Sequence, residues 1–359
     1  MRRISAKNAK QGMVLSRAVF DSHGNLILDA GDKLTSKSIT SLTIYGVGQI
    51  LIDDWRVDDV LVQPTFAPEL EAEATQALRE LITESEVSKT VDPFLLEQVT
   101  KPMYSMTRQL YPEVIGEPNV AGCNTLEEYR YVYPVKVAGL SILVGRMTNY
   151  NMLKLPNLGI AALLMNIGYI FLPPEIRDKL EPLADVELQT FIKHPQLGYE
   201  ILKQHSRIPP EVAEAVLHHH ERCNGSGYPA RLRESDISFF AKIISIVDTY
   251  YSLVSKRPQR RTLMPHEAIE FIMAYGGELF DLDLVEIFAR QVPLYPSGVT
   301  VKLSTKETGI IADANIGHIG RPVVRVCFDA HSQPLNKPYD IDLSDMKYQS
   351  ILVTNALEY

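Results

Sequence analysis

The sequence contains few of the residues that define several protein classes. Its 359 residues include only three cysteines and one tryptophan. Cys123, Cys223 and Cys327 lie far apart and form no CxxC pair, so they predict neither a disulfide framework nor a cysteine-based metal site. This cysteine usage is typical of proteins from a reducing compartment.

The sequence also lacks a long apolar run and an excess of positive charge. The most apolar stretch, residues 158–172, contains Asn166 and is shorter than the ~18 residues that a membrane-spanning helix needs. The first residues, Met-Arg-Arg followed by polar residues, do not resemble a secretory signal peptide. Lysine and arginine number 36 against 44 acidic residues, a net charge of −8, which argues against a broad surface for nucleic acid. We therefore expect a soluble, cytoplasmic protein that binds neither a membrane nor nucleic acid.

The composition is that of a globular chain, and its length predicts two or three domains. Turn residues alternating with short apolar runs indicate a small β-rich domain over residues 1–66. Helical spacing of apolar residues predicts a helical connector over 67–126 and a helical domain over 127–292. After residue 293 the apolar period changes to two, which predicts a small, barrel-like C-terminal β-domain over 293–359.

Histidines are concentrated in one part of the helical segment. Five of the nine lie between residues 194 and 220, namely His194, His205, His218, His219 and His220. Because neighbouring residues on a helix are rotated by about 100°, at most two of the three consecutive imidazoles can face one site, and we expect His218 to point away. A single histidine on a helix is more often a packed or solvated residue than a metal ligand.

Four ordered sequence blocks resemble the HD-GYP domain family. Residues 216–229, with His218-His219-His220-Glu221 followed by Gly225-Ser226-Gly227-Tyr228-Pro229, resemble the HHExxDGxGYP block. The other three matching blocks are residues 158–169, the Lys193-His194-Pro195 triplet and residues 243–258. The resemblance implies a mainly α fold, in which an HD-type helical bundle with a GYP extension is flanked by small N-terminal and C-terminal β-rich domains.

Members of this family are metal-dependent phosphodiesterases that cleave cyclic di-GMP with two or three iron or manganese ions. The metal ions bind the phosphodiester oxygens and convert bound water into hydroxide near neutral pH. The matching metal positions in this sequence are His194, His219, His220 and Asp248, and Asp248 is the candidate catalytic residue if the site is active. By the same resemblance, the candidate ligand-binding residues are Arg222, Tyr228, Arg257 and Arg260.

Four other family positions carry different residues in this chain. The HD pair is Met165-Asn166, an earlier metal-binding histidine is Tyr133, and the lysine that follows the HD pair is Tyr169. Asn166 has no negative charge with which to balance a pair of dications, and the thioether of Met165 has little affinity for oxygen-preferring metals. The resemblance therefore implies no metal, or one residual divalent ion, iron or manganese.

Three functional hypotheses follow from this partial match. The first is a catalytically degenerate HD-GYP protein that binds cyclic di-GMP or a partner such as a GGDEF-type signalling protein. The second is a cyclic di-GMP phosphodiesterase with a reduced metal site. The third is an HDOD-like interaction scaffold with no nucleotide ligand. The sequence does not determine the oligomeric state.

Overall fold

The computed structural model describes residues 1–21, 24–60, 62–111, 116–148, 150–179, 181–256 and 261–357. Helices form the centre of the molecule and strands lie near both ends of the described chain. In chain order the strands are β1 (Arg2–Ser5), β2 (Val19–Phe20), β3 (Leu26–Leu28), β4 (Gln49–Ile52), β5 (Thr300–Leu303), β6 (Thr308–Asp313), β7 (Val323–Phe328), β8 (Pro334–Asp342) and β9 (Val353–Ala356). The helices are α1 (Ser36–Ile44), α2 (Pro68–Ser88), α3 (Pro93–Gln109), α4 (Leu126–Met147), α5 (Leu155–Leu164), α6 (Pro174–Arg177), α7 (Asp185–Phe191), α8 (His194–Leu202), α9 (Pro210–His218), α10 (Phe239–Val254), α11 (Pro265–Ala274) and α12 (Leu282–Gln291).

The N-terminal unit is a small β-rich structure with one helix. β1 pairs with β4, β2 pairs with β3, and both pairs are antiparallel. Thr35 caps α1 by accepting a hydrogen bond from the backbone N–H of Ser38, which satisfies one of the donors left free at a helix start. Leu15, Leu42 and Ile50 are buried in its own small core.

Residues of α2 to α5 and of α8 to α12 share one large hydrophobic core, to which the short helices α6 and α7 contribute no buried residue. Residues Leu78 and Leu81 of α2 and Met103 of α3 are buried in the same cluster as residues of α4, α5 and α10. α5 ends at Leu164, and a short 3₁₀ turn over Ile167–Phe171 follows it. The residues that replace the HD pair therefore lie at the junction between α5 and this turn.

One buried segment has the length and composition of a membrane-spanning helix. Met152–Phe171 contains 20 residues and is apolar enough to cross a membrane, and it is longer than the apolar stretch 158–172 seen in the sequence. Of an 18-residue part of this segment, 72% is buried inside the protein. α5 occupies only its middle part, between two 3₁₀ turns. This burial is that of a core helix.

The C-terminal region is a five-stranded antiparallel sheet with the strand order β8-β7-β6-β5-β9. β8 and β9 lie at opposite edges, and among the described residues no pairing joins them. The barrel-like closure expected from the sequence is therefore wrong, because closing a sheet requires its two edge strands to pair. Alternation of apolar residues predicts strands, but it does not determine whether the sheet closes.

The two β-rich regions contact each other. Val57 and Val60, which follow β4, share a small buried cluster with Ile310 of β6 and Cys327 of β7. The backbone N–H of Arg3 donates to the carbonyl oxygen of Gly298 at 2.9 Å. The N-terminal unit and the C-terminal sheet are thus in direct contact, although their strands belong to separate sheets.

Candidate metal centre and adjoining cavity

Three histidine side chains from two neighbouring helices converge in the interior. His194 begins α8, and His219 and His220 directly follow the last residue of α9. Their ligand nitrogens all lie within 4.8 Å of one another, and they form the one such group of at least three potential metal-ligating side chains found in the described parts of the chain. His205 and His218 lie outside this group, as expected for His218 from the rotation along the helix.

Backbone carbonyls fix the orientation of two of these imidazoles. The Nδ1 atom of His194 lies 2.9 Å from the carbonyl oxygen of Phe191, and the Nδ1 atom of His219 lies 2.7 Å from that of Val216. A carbonyl oxygen only accepts, so each Nδ1 carries the proton and each Nε2 presents a lone pair. The two Nε2 atoms face each other at 3.4 Å. This arrangement of carbonyl, imidazole and inward Nε2 is the one that metal-ligating histidines use.

Burial keeps the three imidazoles neutral. Removal from water lowers the pKa of His219 to about 4, and it lowers the pKa values of His194 and His220 well below their usual range. The positive charge of Arg222 lowers the pKa values of His219 and His220 further. Neutral imidazole is the form that binds a metal ion.

Asp248 lies outside the group of three imidazoles, and its carboxylate is bonded to Tyr133. The hydroxyl of Tyr133 donates to the Oδ1 atom of Asp248 and to its carbonyl oxygen, each at 2.8 Å. Tyr133 is fully buried, and desolvation together with the adjacent carboxylate raises the pKa of its phenol well above 10, so the phenol stays a donor. A tyrosine hydroxyl therefore bonds to the carboxylate that the family resemblance assigned to a metal.

The residues that replace the HD pair and the lysine occupy three different environments. Met165 is completely buried in the main core. Asn166 and Tyr169 line a cavity, and the Tyr169 ring also lies against His194 with the ring centres 4.4 Å apart. Burial raises the pKa of Tyr169 well above its usual range, so this position carries no charge where the family has a lysine.

The Gly-Tyr-Pro loop packs onto the histidine cluster. The ring of Tyr228 stacks on the ring of His220 with 4.7 Å between the ring centres, so the loop holds Tyr228 beside the cluster. Glu221 is 1% exposed and accepts hydrogen bonds from the backbone N–H groups of Ala230 at 2.7 Å and Leu232 at 3.0 Å. A Cβ atom at Gly227 would lie 2.4 Å from the Cα atom of Glu221, so only glycine fits there.

Of the three arginines that the resemblance assigns to ligand binding, the structure describes Arg222. The guanidinium of Arg222 donates to the carbonyl oxygen of Glu221 at 2.9 Å and to the hydroxyl of Thr249 at 3.3 Å, so its described contacts are with the protein. Arg257 and Arg260 lie outside the described residues.

A cavity of about 840 Å³ is lined by Asn166 and Tyr169 but by none of the three histidines. Most of its wall is apolar, with Tyr129, Leu163, Ile167 and Phe191 among the lining residues. Several charged side chains at this wall are already paired inside the protein, for example Arg177 with Glu86 and Asp178. Its volume is within the range of about 300–1,000 Å³ that is usual for small-molecule sites.

A second cavity of about 870 Å³ separates the N-terminal unit from the helical domain. Glu71 of α2 and Lys136 of α4 line it. Desolvation raises the pKa of Glu71 to about 7, although the positive charge of Lys136 opposes this shift.

The donor set fits one metal ion better than a metal pair. Three neutral imidazoles supply nitrogen donors with their lone pairs directed inward, but the group contains no carboxylate that could bridge two dications. The carboxylate of Asp248 is bonded to Tyr133, and Asn166 carries no charge. This chain therefore presents a smaller, nitrogen-only part of the ligand set that the resemblance implied.

A family model for the HD domain matches residues 95–284, which is more than half of the chain. The matched range extends from α3 into α12 and contains the histidine cluster and the Gly-Tyr-Pro loop. The chain belongs to the HD domain family. Its loop and its relatives identify it as an HD-GYP member, which confirms the resemblance and the mainly helical fold.

Two relatives that are similar in sequence to this chain are named cyclic di-GMP phosphodiesterases. Cyclic di-GMP phosphodiesterase PA4108 of Pseudomonas aeruginosa is 30% identical over 229 residues, which cover 63% of this chain and 55% of the relative. A cyclic di-GMP phosphodiesterase of Thermotoga maritima is 28% identical over 243 residues, which cover 65% of each protein. The chain thus spans between half and two thirds of the length of these relatives. The solved structure of Bd1817, an HDG"Y"P protein from Bdellovibrio bacteriovorus, aligns with a TM-score of 0.47 at 14% identity over 80% of this chain and 97% of that one.

Two functional features of the site were missed by sequence reasoning. The sequence shows Glu221 only as part of the block of residues 216–229, whereas in the structure its carboxylate accepts two backbone hydrogen bonds from the segment that follows the Gly-Tyr-Pro loop. Tyr133 was interpreted only as a lost ligand, whereas its hydroxyl binds Asp248, which is 115 residues away in sequence. The positions of both residues in the family blocks were visible, but their partners are set by the packing of distant helices.

Proposed function

We propose that this HD-GYP chain acts in cyclic di-GMP signalling by binding, and that it does not hydrolyse the nucleotide. Its relatives from Pseudomonas aeruginosa and Thermotoga maritima are named cyclic di-GMP phosphodiesterases, which supports the nucleotide as the ligand. The ligand of the binding function is cyclic di-GMP itself or a partner protein such as a GGDEF-type cyclase.

The hydrogen bond between Tyr133 and Asp248 is the observation that carries the proposal. Hydrolysis of a phosphodiester by a metal pair requires carboxylates that bridge and neutralise the ions. In this chain the Asp248 carboxylate accepts a hydrogen bond from a buried phenol at 2.8 Å. Releasing that carboxylate would give up this hydrogen bond, which costs about 1 kcal/mol because the Tyr133 hydroxyl keeps the carbonyl oxygen of Asp248 as an acceptor.

The second argument is the loss of charge where the nucleotide phosphates would lie. Asn166 and Tyr169 face the cavity at the positions of the HD aspartate and the following lysine, and both side chains are neutral. The cavity next to them can admit a ligand without offering it the metal-bound hydroxide that hydrolysis needs. Binding without turnover is the result that this combination favours.

A direct assay separates binding from turnover. The purified chain is loaded with excess iron or manganese and incubated with cyclic di-GMP, while equilibrium dialysis measures nucleotide binding in parallel. We expect hydrolysis no faster than in a buffer control. Metal-dependent hydrolysis that is abolished in His219→Ala would overturn the proposal.

Restoring ligands tests why activity is absent. Asn166→Asp restores one charge but leaves Met165 and Tyr133 unchanged, so we expect it to remain inactive. The triple variant Tyr133→His, Met165→His, Asn166→Asp restores all three metal ligands that the resemblance gives as missing, and we expect turnover in this variant. Robust turnover in Asn166→Asp alone would contradict the account.

The second candidate function is phosphodiesterase activity with a reduced metal site. The convergence of His194, His219 and His220 favours this candidate, because one bound ion can still lower the pKa of a coordinated water. The hydrolysis assay described above decides between the two functions.

The Gly-Tyr-Pro loop supplies a further test of the binding function. Tyr228 is only partly buried and stacks on His220, so its outer face is available to a ligand. If the loop serves binding, Tyr228→Ala should lower nucleotide or partner affinity while the melting temperature stays unchanged. A variant that loses stability but still binds normally would assign the loop a purely structural role.

A further inference from the structure

We propose that the histidine cluster binds a single zinc-type ion through nitrogen atoms alone, and not the iron or manganese group that the family resemblance implies. The donors are the Nε2 atom of His194, the Nε2 atom of His219 and a ring nitrogen of His220. The proposal concerns which ion the chain selects and how many it holds, and it does not depend on the proposed absence of turnover.

The separation of the two Nε2 atoms matches a shared ion. Zinc lies about 2.0–2.1 Å from imidazole nitrogens, and with tetrahedral angles this places two nitrogens about 3.3 Å apart. The distance between the Nε2 atoms of His194 and His219 is 3.4 Å. The backbone positions of α8 and of the residues after α9 therefore already suit two ligands of one tetrahedral ion.

A direct hydrogen bond between the two rings does not explain this arrangement. Hydrogen bonds donated by N–H groups are usually 2.7–3.2 Å long, shorter than the separation seen here. Because each Nδ1 proton is directed at a carbonyl oxygen, neither Nε2 atom has a proton to donate to the other. Two lone pairs that face each other repel, and a cation bound between them would remove that repulsion.

His220 supplies the third donor from a position fixed by packing. Its ring centre lies 4.1 Å from that of His219 and 5.1 Å from that of His194. Tyr228 covers the other face of the His220 ring. Three imidazoles and one open position are the ligand set of several zinc sites.

The chemistry of the donors selects the metal. Nitrogen sites bind divalent ions in the order manganese, iron, cobalt, nickel and copper, with zinc well above manganese and iron. Manganese and iron gain relative affinity from carboxylates, but the Asp248 carboxylate is bonded to Tyr133 and the residue at the HD aspartate position is Asn166. We expect zinc to bind at least about 100-fold more tightly than manganese.

The test uses the full chain after removal of metals with a chelator. Zinc and manganese affinities are measured by competition against a chromophoric chelator, and cobalt is added as a spectroscopic probe of zinc-type geometry. The proposal predicts one ion per chain, the selectivity stated above, and the intense visible absorption of four-coordinate cobalt. A stoichiometry of two, a manganese affinity equal to that for zinc, or the weak spectrum of six-coordinate cobalt would overturn it.

Matched variants locate the site. His220→Ala should lower zinc affinity by about 100-fold, whereas His218→Ala, one residue earlier and outside the cluster, should leave zinc affinity unchanged. Equal zinc affinities in the two variants would overturn the assignment. The cobalt spectrum of the unmodified chain tests the proposal even if His220→Ala does not fold.

The outcome can be separated from that of the proposed function. Zinc binding together with zinc-dependent hydrolysis of cyclic di-GMP would keep this inference and overturn the proposed function. If the chain neither binds zinc tightly nor hydrolyses cyclic di-GMP, this inference is overturned and the proposed function stands.

Discussion

At the scale of single residues, the buried Tyr133 and the half-buried Glu71 carry chemistry that the family resemblance did not anticipate. Tyr133 donates to Asp248, and Glu71 faces the cavity between the N-terminal unit and the helical domain. In both cases a polar group lies where it is removed from water, so the loss or gain of one proton or one hydroxyl has a measurable effect on stability.

Replacing Tyr133 by phenylalanine isolates the hydroxyl, because the ring is retained. The variant leaves the buried Asp248 carboxylate short of one donor, and we expect the free energy of unfolding to fall by about 1–3 kcal/mol. Urea denaturation measures the change. Tyr104→Phe, on the exposed face of α3, is the control and should change stability by less than about 0.5 kcal/mol. Equal effects of the two variants would show that the hydrogen bond contributes nothing.

The raised pKa of Glu71 predicts that stability falls as the pH rises. The folded chain retains this proton up to about pH 7, whereas the unfolded chain releases it near 4.5. Below pH 4.5 the stabilisation is fully present, and between 4.5 and 7 it is lost at about 1.4 kcal/mol per pH unit. Glu71→Gln removes this dependence. The drop in unfolding free energy from pH 5 to pH 8 should therefore be smaller in the variant than in the parent by about 2–3 kcal/mol.

A control on the same helix separates this effect from general pH dependence. Glu73 is exposed, so Glu73→Gln should leave the difference between pH 5 and pH 8 as it is in the parent. If Glu71→Gln retained the full pH dependence of the parent, the protonated state of Glu71 would be excluded as its source.

At the scale of elements, the site depends on a short connection between α9 and the Gly-Tyr-Pro loop. Glu221 fastens the loop by two backbone hydrogen bonds, and the loop in turn places Tyr228 against His220. Gly227 passes so close to the backbone of residues 220–222 that the loop and the histidines form one packed unit.

Gly227→Ala should disturb this unit. Its Cβ atom would lie 2.4–2.5 Å from backbone atoms of residues 220–222, which cannot move as a flexible side chain does. We expect a loss of about 1–3 kcal/mol in stability, with weakened metal binding from the displaced His220. Chemical denaturation and metal titration measure both effects, and the exposed Ser226→Ala is the control. A Gly227→Ala variant as stable as Ser226→Ala would contradict the close packing.

The sequence predicted elements best where apolar spacing was regular. The pattern over 240–254 predicted α10, which spans Phe239–Val254. α4 begins at Leu126, one residue before the start that apolar spacing predicts for the helical domain. The three converging histidines followed from family spacing, but their inward Nε2 atoms and the cavity lined by Tyr169 depend on how separate helices pack.

At the scale of the whole molecule, ion pairs join the two β-rich regions, which are far apart in sequence. Arg325 of β7 donates to Asp340 of β8 at 2.7 and 2.9 Å, and it also pairs with Asp59 of the N-terminal unit. These two carboxylates raise the pKa of the Arg325 guanidinium above its usual value, which is consistent with a fixed charged cluster.

Arg325→Ala tests how much this cluster contributes. Both carboxylates are substantially exposed, so we expect a loss of only about 1–2 kcal/mol of stability. Because the pairs are accessible to solvent, the loss should become smaller at high salt. Denaturation at low and high ionic strength measures it, with the exposed Lys337→Ala of β8 as the control. Equal losses in the two variants at low salt would remove any special role for Arg325.

The contact between the two β-rich regions has a consequence for synthesis on the ribosome. The side chain of Arg2 donates to the hydroxyl of Thr300, 298 positions later, and the backbone of Arg3 bonds to Gly298. At about 5–20 residues per second, roughly 15–60 seconds pass before Arg2 and Arg3 can meet Thr300 and Gly298. During that interval the nascent N-terminal unit exposes the apolar side chains of Val57 and Val60, which the later strands cover, and it is therefore the part of the emerging chain that chaperones should bind first.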